Sequence, residues 1–527
     1  MNTRRTEPRS LSMIDPLQIH QEGNPTAGDY GSCIPSRIVS DQALEQVNRG
    51  KAYRRSGNMA KARRCFESAI MMNPNQALAW FNLAETDAAE GHLERAIERY
   101  RTTIRFDPHM LAAYNNLGNA LKHAKKYNEA IAAYKNVLML NPNLAQGYYN
   151  LGNTYRLLEE HLYAIAQFAE ALKLDPTYAE AWNNLALTCQ SMGDWDRALS
   201  YFNRALDINT EFASARWNRS VVRFLKDDWL NGWQDFEARF TIPQWSTIYP
   251  HRIDGLRWNG DPIPEGTLLV HDEQGLGDTL QFMRLLPWVK SRCRRLVFET
   301  RPEIISLLDN HAHLGIDEML ARSVNKPTTV PFDRYIPLMS LPGLFALTPD
   351  HKPPWKPYIH STRENIIQWR MRLPAGKLRV GLVWAGRPEH TNDENRSCGL
   401  KNLSPLFLFK DIQFVGLQKG DAAGQIDAFH QANLCNLGPD LETFADTAAV
   451  LAQLDLLISV DTSVAHIAGA MGVPVWMLLP HIPDWRWGLT GKHTFWYPTM
   501  TLYRQPRAKD WGSVASEIIR ALHSLNA

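Results

Sequence analysis

This sequence lacks the features that mark several common classes of protein. It has only six cysteines among 527 residues, none in a C-x-x-C pair, which argues against a disulfide framework or a zinc site and fits a reducing cytoplasm. Its 57 basic and 55 acidic residues leave a net charge of +2, so nothing indicates a nucleic-acid partner. Every strongly apolar stretch is interrupted before it reaches bilayer length, so no membrane span is expected.

Residues 1–40 lack a sustained apolar period. They are rich in Pro, Gly, Ser and Arg, a composition typical of a disordered tail. Their arginines precede no apolar segment, which excludes a signal peptide. At 527 residues the remaining chain is too long for one ordinary core, so two or three domains are expected.

The next segment, residues 41–240, repeats itself. Pro74, Pro108, Pro142 and Pro176 are spaced by 34 residues, and Thr210 follows in the series. Small and aromatic residues recur at the same interval: Ala96, Ala130, Ala164 and Ala198, then Tyr100, Tyr134, Phe168 and Phe202. This pattern resembles the tetratricopeptide repeat and predicts about six helix pairs stacked into an α superhelix.

Asparagines occupy the first predicted helix of several repeats, where such arrays form a concave groove. Because amides can bind a peptide backbone without selecting its side chains, we predict that Asn116, Asn150 and Asn184 contact an extended polypeptide acceptor. The alternative is that these amides bond within the stack. The aromatic residues of the last repeat, among them Trp229 and Trp233, are predicted to pack against the next domain.

The second half of the chain carries two strand–turn–helix patterns. Residues 241–266 are rich in Pro and Gly and mark a boundary. A predicted strand at 267–271 then leads through Gly275 and Gly277 to Asp278 and a predicted helix over 279–290. A second strand, 456–460, leads into Asp461 and a helix rich in small residues. Helix starts at the ends of parallel strands are favourable sites for phosphate.

Both strings resemble motifs of the heptosyltransferase-like glycosyltransferases of bacteria (family 9). The matching residues are Asp461 with His466, and the string Gly275-Leu276-Gly277-Asp278. The resemblance implies an α/β GT-B fold, with Rossmann-like domains at residues 241–352 and 353–527 and the donor bound mainly by the second. It also implies that Asp278 accepts the proton of the acceptor. The alternative is that Asp278 only caps its helix.

Further donor-site candidates follow predicted strands of the C-terminal domain. Arg387 and Arg396 could neutralise a diphosphate or be surface charges, and Gln418 and Lys419 stand at a turn resembling the nucleotide contact of GT-B enzymes. Trp485 and Trp487 either stack on the base or sugar of the donor or pack within the protein. Arg486, between them, is predicted to contact phosphate. The predicted donor site comprises Gly275, Gly277, Arg387, Arg396, Gln418, Lys419, Asp461, Thr462, Ser463, Val464, His466, Trp485, Arg486 and Trp487.

No metal pair is apparent in the sequence. The single D-x-D string, Asp194-Trp195-Asp196, falls in a predicted repeat turn and is interpreted as a helix cap. We therefore expect a cytoplasmic, metal-independent, inverting glycosyltransferase without a cofactor, acting on a nucleotide sugar and a protein such as flagellin. Its organisation resembles that of the tetratricopeptide-bearing O-linked N-acetylglucosamine transferases and flagellin glycosyltransferases. Two alternatives remain: a lipopolysaccharide or other glycan acceptor, and a non-catalytic scaffold with a degenerate GT-B half.

Overall fold

The computed structural model describes residues 34–242, 253, 255–308, 312–322, 328, 330–374, 378–390, 392–430 and 433–526. The chain divides into two compact units, one ending at Ala215 and one beginning at Arg216. Within the described ranges, no helix has the length and apolarity needed to cross a bilayer.

The first unit is built from antiparallel helix pairs. Its helices are α1 (Ile34–Arg55), α2 (Met59–Met72), α3 (Ala77–Ala89), α4 (Leu93–Phe106), α5 (Leu111–His123), α6 (Tyr127–Leu140), α7 (Ala145–Leu157), α8 (His161–Leu174), α9 (Ala179–Ser191) and α10 (Trp195–Ile208), followed by α11 (Ala213–Leu225). Helix α3 contacts α5, α5 contacts α7 and α7 contacts α9, so the first helices of successive pairs share one face.

The 34-residue period has a local cause at the turns between pairs. The side chain of Asn73 accepts a hydrogen bond from the backbone N–H of Asn75, and Asp107 and Asn141 do the same for the residues two positions on. Each of these residues precedes a proline. An Asx turn followed by proline ends one pair and starts the next in the same geometry.

Small and aromatic residues at equivalent positions form the core of the first unit. Ala96 and Ala130 are fully buried, as are Tyr134 and Phe168. A Cβ at Gly118 would lie 2.6 Å from the Tyr134 ring, so glycine is needed for that ring to reach the preceding helix. This packing confirms the predicted repeat.

The predicted tail is shorter than expected. Helix α1 begins at Ile34, whereas the sequence placed residues 34–40 in the tail; residues 1–33 lie outside the described residues. Proline is well tolerated in the first turn of a helix, so Pro35 permits this start. Ala43 and Val47 then bury themselves in a cluster with Phe66 of α2.

The second unit contains a four-stranded and a six-stranded sheet. The four-stranded sheet has β1 (Ile263–His271), β2 (Cys293–Thr300), β3 (Glu318–Ala321) and β4 (Arg334–Pro337) in the order β3-β2-β1-β4. All its described pairings are parallel, with Val270 opposite both Phe298 and Ile336. The apolar residues at the centre of β1 and β2, such as Val270 and Phe298, are fully buried, as expected for parallel strands covered on both faces.

The six-stranded sheet is also parallel throughout. Its strands are β5 (Leu378–Val383), β6 (Ile412–Gly416), β7 (Leu434–Asn436), β8 (Leu456–Val460), β9 (Val475–Leu479) and β10 (Met500–Arg504), in the order β10-β9-β8-β5-β6-β7. Val380, Leu382 and Ile458 are buried in its core. Parallel sheets after a helical array agree with the coarse prediction of fold class.

The helices of the second unit are mostly short. They are α12 (Trp229–Phe236), α13 (Leu276–Phe282), α14 (Leu286–Lys290), α15 (Pro302–Ile305), α16 (Leu341–Leu344), α17 (Arg363–Arg370), α18 (Asp393–Arg396), α19 (Leu400–Leu403), α20 (Phe444–Leu451), α21 (Ser463–Met471) and α22 (Trp511–Asn526). The helix predicted over 279–290 is therefore two helices, since Pro287 lacks the N–H that would continue the first.

The boundary between the units differs from the predicted one near residue 240. It falls inside α11, and α12 belongs to the second unit. Trp229 and Trp233 pack on Trp485, with ring centroids 6.3 and 5.6 Å away. These aromatics are thus part of the core of the second unit.

Candidate functional site

Two helices of the second unit meet where strands of its two sheets end. Helix α13 follows β1 and helix α21 follows β8, and each strand lies inside its sheet. A Cβ at Gly277 of α13 would lie 2.9 Å from Cδ2 of His466 on α21. The glycine of the turn therefore allows the starts of the two helices to touch.

Tyr358, in the segment that joins the two sheets, holds these helices together. Its backbone N–H donates to the carbonyl of Ala470 in α21 over 2.9 Å. Its hydroxyl donates to the carbonyl of Leu280 in α13 over 2.9 Å and accepts from Arg284 at 2.8 Å. The relative position of the two predicted motifs is thus fixed by hydrogen bonds.

Asp278 lies at the start of α13 and uses both carboxylate oxygens. Oδ2 accepts from the backbone N–H of Gly275 at 2.8 Å, which satisfies a free donor of the helix start. Oδ1 accepts from the guanidinium of Arg486. The Asp278 side chain is 13% exposed, so solvent still reaches the carboxylate. Both roles predicted for Asp278, cap and base, remain compatible with this position.

Asp461 stands one residue before the helix N-cap, Thr462. Trp487 donates its indole N–H to Oδ2 at 2.8 Å, and Nε2 of His466 lies 3.6 Å from Oδ1. The other ring nitrogen of His466 bonds the hydroxyl of Tyr497 at 2.9 Å. Burial alone would raise the pKa of Asp461, but His466, Arg486 and Trp487 together hold that pKa well below its usual range. Asp461 therefore carries a negative charge at neutral pH.

Arg486 is the cation between the two motifs. Burial would lower the pKa of its guanidinium, and the carboxylates of Asp484, Asp278 and Asp461 raise it. Its side chain is only 11% exposed. Beside it, α21 begins after Thr462 in extended conformation, with φ of −141°. The first N–H groups of a helix and a buried guanidinium together make an anion-binding surface.

The loop after β5 adds a second guanidinium beside Asp461. Arg396 donates to the backbone carbonyl of Asp461 at 3.2 Å and to Asp393 at 3.0 Å. His390 belongs to the same loop, and burial together with the charge of Arg396 lowers its pKa. Arg387 is exposed. Of the two arginines predicted here, Arg396 is therefore the one that contacts the helix start.

The two residues predicted at the end of β6 are used within the protein. The amide oxygen of Gln418 accepts from the N–H groups of Trp384 and Ala385 at 3.0 and 2.9 Å. Its amide nitrogen donates to the carbonyls of Ala385 and Lys419 at 3.1 and 2.9 Å. All four hydrogen-bonding positions of Gln418 are filled, so its side chain joins β5 to β6. None is left to bind a nucleotide sugar. Lys419 donates to the carbonyl of Leu441.

Trp485 also has a structural role. Its ring is 6% exposed and lies 4.6 Å from the ring of Phe224 and 5.6 Å from that of Trp233. A buried ring enclosed by aromatics has no face for a nucleotide or sugar. Of the two roles open for Trp485 the structure therefore gives packing, and Trp487, 3% exposed, orients Asp461 instead.

The acidic residues just before the glycine turn were not among the site residues predicted from the sequence. Glu273 is paired bidentately with fully buried Arg239, at 3.0 and 2.7 Å. Asp272 accepts from the hydroxyl of Thr300 at 2.9 Å and pairs with Arg322 at 3.0 Å. A pair of acids directly after a buried strand is the signal that could have indicated them, because a charge buried there requires a partner. These pairs hold the turn that carries Asp278.

The three asparagines predicted for acceptor binding lie in the first helices of their pairs, where Asn116 is 3% and Asn150 2% exposed. Asn150 donates to Asn115 at 2.8 Å, and Asn184 donates to Asn153 at 2.7 Å, so both connect neighbouring repeats. Asn116 accepts from Asn115 at 3.3 Å. The alternative predicted for these amides, bonding within the stack, therefore accounts for part of their capacity.

Comparison with known proteins identifies the repeats. Models of the tetratricopeptide repeat match residues 143–211 and 43–76, and a model of the TPR repeat matches residues 118–158. The chain carries tetratricopeptide repeats.

Similar proteins cover parts of the chain. Protein FlbA of Caulobacter vibrioides is 26% identical over 313 residues, which are 51% of this chain and 50% of FlbA, so the chain spans about half the length of that relative. The crystal structure of MamA is 27% identical over 31% of this chain and 96% of its own, with a TM-score of 0.30. YrrB, described as a TPR protein with an unusual peptide-binding site, is 24% identical over 34% of this chain and 92% of its own, with a TM-score of 0.29.

Two acidic groups within the tetratricopeptide repeats bear on the question of a metal. Ligand atoms of Asp87, Glu90 and His92 lie within 4.8 Å of one another. Arg63 pairs with both carboxylates at 2.7 Å, so a cation there would meet a guanidinium. Asp194, the first residue of the D-x-D string, accepts from the N–H of Arg197 at 3.1 Å and caps α10 as predicted.

Proposed function

We propose that this chain is a GT-B glycosyltransferase that moves a sugar from a nucleotide-sugar donor to a protein held by its tetratricopeptide repeats. One observation carries the proposal. The strand–turn–helix motifs of two parallel sheets meet at their helix starts, with Arg486 between Asp278 and Asp461. Ligands of open α/β folds bind at the carboxyl ends of parallel strands, which is where these residues lie.

In the proposed reaction Asp278 accepts the proton of the attacking hydroxyl. The hydroxyl oxygen forms a bond to the anomeric carbon while the bond to the nucleoside diphosphate breaks, which inverts the configuration. A positioned carboxylate contributes about 10²- to 10⁴-fold as a general base. Arg486 leaves Asp278 when the donor binds and contacts the diphosphate, which frees the carboxylate oxygen for the acceptor.

The leaving diphosphate gains negative charge as the bond breaks. The N–H groups at Ser463 and Val464 in the first turn of α21, together with Arg486 and Arg396, would stabilise it. These groups supply the positive charge that a metal supplies in other transferases, so the proposed reaction is metal-independent. Asp461, held ionised, orients His466 and Trp487 beside the donor.

The acceptor is proposed to be a polypeptide in extended form. Asn82, Asn116, Asn150 and Asn184 recur at intervals of 34 residues in α3, α5, α7 and α9. Such a regular row of amides suits a ligand with a regular backbone, and flagellin is the candidate to test first.

A second candidate is a scaffold without catalysis. The internal roles of Gln418 and Trp485 favour it, because two side chains predicted to hold the donor are unavailable for that purpose. The two candidates differ in whether Asp278 has a chemical task.

The test compares two aspartates that cap helices. Asp278→Asn removes the proposed base, and Asp446→Asn alters an equivalent cap, since Asp446 bonds the N–H of Thr443 at 2.8 Å at the start of α20. Nucleoside diphosphate release would be measured with UDP-, GDP-, ADP- and dTDP-sugars, with and without flagellin or a lipopolysaccharide core, and products identified by mass spectrometry.

We expect wild type and Asp446→Asn to modify the protein, and Asp278→Asn to be slower by about 10²-fold or more. Equal rates for the two variants would remove Asp278 from the chemistry. If nucleoside diphosphate were released only in the presence of lipopolysaccharide, the acceptor would be a glycan and not a protein. If wild type released no nucleoside diphosphate from any of these donors, the scaffold without catalysis would be the remaining candidate.

A further inference from the structure

Two cations lie at one register position of neighbouring tetratricopeptide repeats. Lys122 is the penultimate residue of α5 and Arg156 that of α7, and the two residues are 34 positions apart. Helices α5 and α7 are adjacent on the shared face of the first helices. The equivalent positions in the flanking repeats hold Ala88 and Gln190, and the same position one repeat further back holds Arg54, whose charge is paired with Glu85.

Neither cation has a carboxylate partner among the described residues. Other cations of the first unit do have such partners, as Arg54 has Glu85 and Arg101 has Glu129. Burial lowers the pKa of Lys122, and the nearby charge of Arg156 lowers it further. Burial likewise lowers the pKa of Arg156. Two adjacent, partly desolvated positive charges without counterions are costly in the free protein, and a bound anion would offset that cost.

Unused hydrogen-bond donors accompany the charges. Nε of Arg156 and the amide nitrogen of Asn119 are buried without an acceptor among the described residues. Asn119 is 4% exposed and lies one helical turn before Lys122. Its amide oxygen already accepts from the hydroxyl of Tyr134 at 2.7 Å, so only its donor side is free. Positive charge and donors without acceptors call for a ligand that only accepts, and an ionised carboxylate is such a ligand.

We propose that Lys122, Arg156 and Asn119 form a subsite for an aspartate or glutamate side chain within the polypeptide that the repeats hold. The inference rests on the proposed function, because it assumes that a polypeptide lies along this face. The row of asparagines continues on both sides, to Asn82 and to Asn184, so the ligand chain would pass through the subsite. An internal acidic side chain fits this better than a C-terminal carboxylate, which would end the chain at the middle of the row.

The experiment selects peptides from a random dodecamer library on the full-length protein. The variants are Lys122→Gln, Arg156→Gln and Arg156→Lys, with Arg101→Gln as matched control because its pair with Glu129 is exposed. Circular dichroism would verify that each variant folds. One selected peptide would then be synthesised in four forms: glutamate or glutamine at the enriched position, each with an amidated or a free C-terminus.

Wild type and Arg101→Gln should enrich Asp or Glu at one internal position. Arg156→Gln and Lys122→Gln should lose that preference, with about tenfold weaker binding of the glutamate peptide, and Arg156→Lys should keep part of it. Raising the salt concentration should weaken the binding of the glutamate peptide more than the binding of the glutamine peptide.

Three results would overturn the inference, and they are distinguishable from failure of the proposed function. If wild type enriched peptides without a preference for Asp or Glu, the polypeptide site would stand and the proposed carboxylate subsite would be wrong. If the free C-terminus strengthened binding more than the internal glutamate did, Lys122 and Arg156 would be a site for the C-terminal carboxylate of a peptide. No enrichment of any peptide by wild type would remove the polypeptide acceptor together with the subsite.

Discussion

At the scale of single residues, the charge on Asp461 is the property on which the candidate site depends. The carboxylate accepts one hydrogen bond from Trp487 and faces His466, whose other nitrogen is held by Tyr497. Each contact favours the ionised form, and they outweigh the effect of burial, so the pKa is depressed. A depressed pKa in the folded protein means that ionisation stabilises the fold.

Replacing Asp461 by asparagine should therefore cost stability in a pH-dependent way. We expect Asp461→Asn to lower the free energy of unfolding by about 1–3 kcal/mol. The difference should be constant from pH 8 to pH 5, above the unfolded pKa of about 3.9, and should shrink as the pH falls towards the lower folded pKa. Urea denaturation followed by tryptophan fluorescence measures it.

Fluorescence suits this measurement because only Trp80, Trp182 and Trp195 precede residue 216, and the other 14 of the 17 tryptophans report on the second unit. Exposed Asp421→Asn is the control and should show no difference. A difference that disappears between pH 8 and pH 5 would instead assign the effect to protonation of a histidine.

Sequence alone could identify which residues stand at the two helix starts, but not what each side chain contacts. Asp278, Asp461 and His466 follow directly from strand–turn–helix patterns. Three of the four hydrogen bonds of Gln418, and the contact of Trp485 with Phe224, depend on residues 33 or more positions away. Such long-range partners leave no local pattern, so the roles of these residues became visible only in the folded protein.

At the scale of elements, the contact between α13 and α21 decides whether the two motifs form one site. Gly277 is the point of closest approach, and the ring of His466 that it meets cannot easily move. Tyr497 holds the ring by a 2.9 Å hydrogen bond, and Trp487 lies 5.6 Å from it. A side chain at residue 277 must therefore separate the helices.

Gly277→Ala should destabilise the second unit by about 1–3 kcal/mol. It should also slow the proposed transfer, since it moves Asp278 away from Asp461. The matched control is Gly424→Ala, a glycine of the 3₁₀ segment Asp421–Ala428 at which an added Cβ would have no atom within 4 Å, so the variant makes the same substitution without a clash. Equal urea midpoints for the two variants would show that α13 and α21 do not depend on this close approach.

Elements were predictable where burial imposes a simple pattern. The buried strand β8 covers the predicted residues 456–460, because a strand covered on both faces is a short continuous apolar run. The helix predicted at 279–290 is interrupted over Met283–Leu285, directly before α14, whose first turn contains Pro287, a residue without the N–H that would continue the earlier helix. The division inside α11 was missed because its aromatic residues fit the repeat pattern as well as they fit a core.

At the scale of the whole molecule, the position of that division can be tested with fragments. Residues 216–242 belong to the second unit: Trp229 and Trp233 pack on Trp485, and Arg239 is the bidentate partner of buried Glu273. A fragment starting at 243, near the predicted boundary, would lack Trp229 and Trp233, expose Trp485 and leave Glu273 without Arg239. A fragment starting at 209 would begin before α11 and retain both sets of contacts.

Fragment 209–527 should therefore unfold cooperatively in urea, and fragment 243–527 should not. Loss of large aromatic packing costs about 3–5 kcal/mol per residue and an unpaired buried charge about 3–5 kcal/mol, which for two tryptophans and one charge is comparable to the whole stability of a domain, about 5–15 kcal/mol. Near-ultraviolet circular dichroism reports the aromatic packing directly. The double variant Arg239→Leu/Glu273→Leu of fragment 209–527 separates the two causes, because it removes the ion pair and keeps the rings. If fragment 243–527 gave the same urea midpoint as fragment 209–527, the boundary would lie near residue 240 and α12 would be dispensable for the second unit.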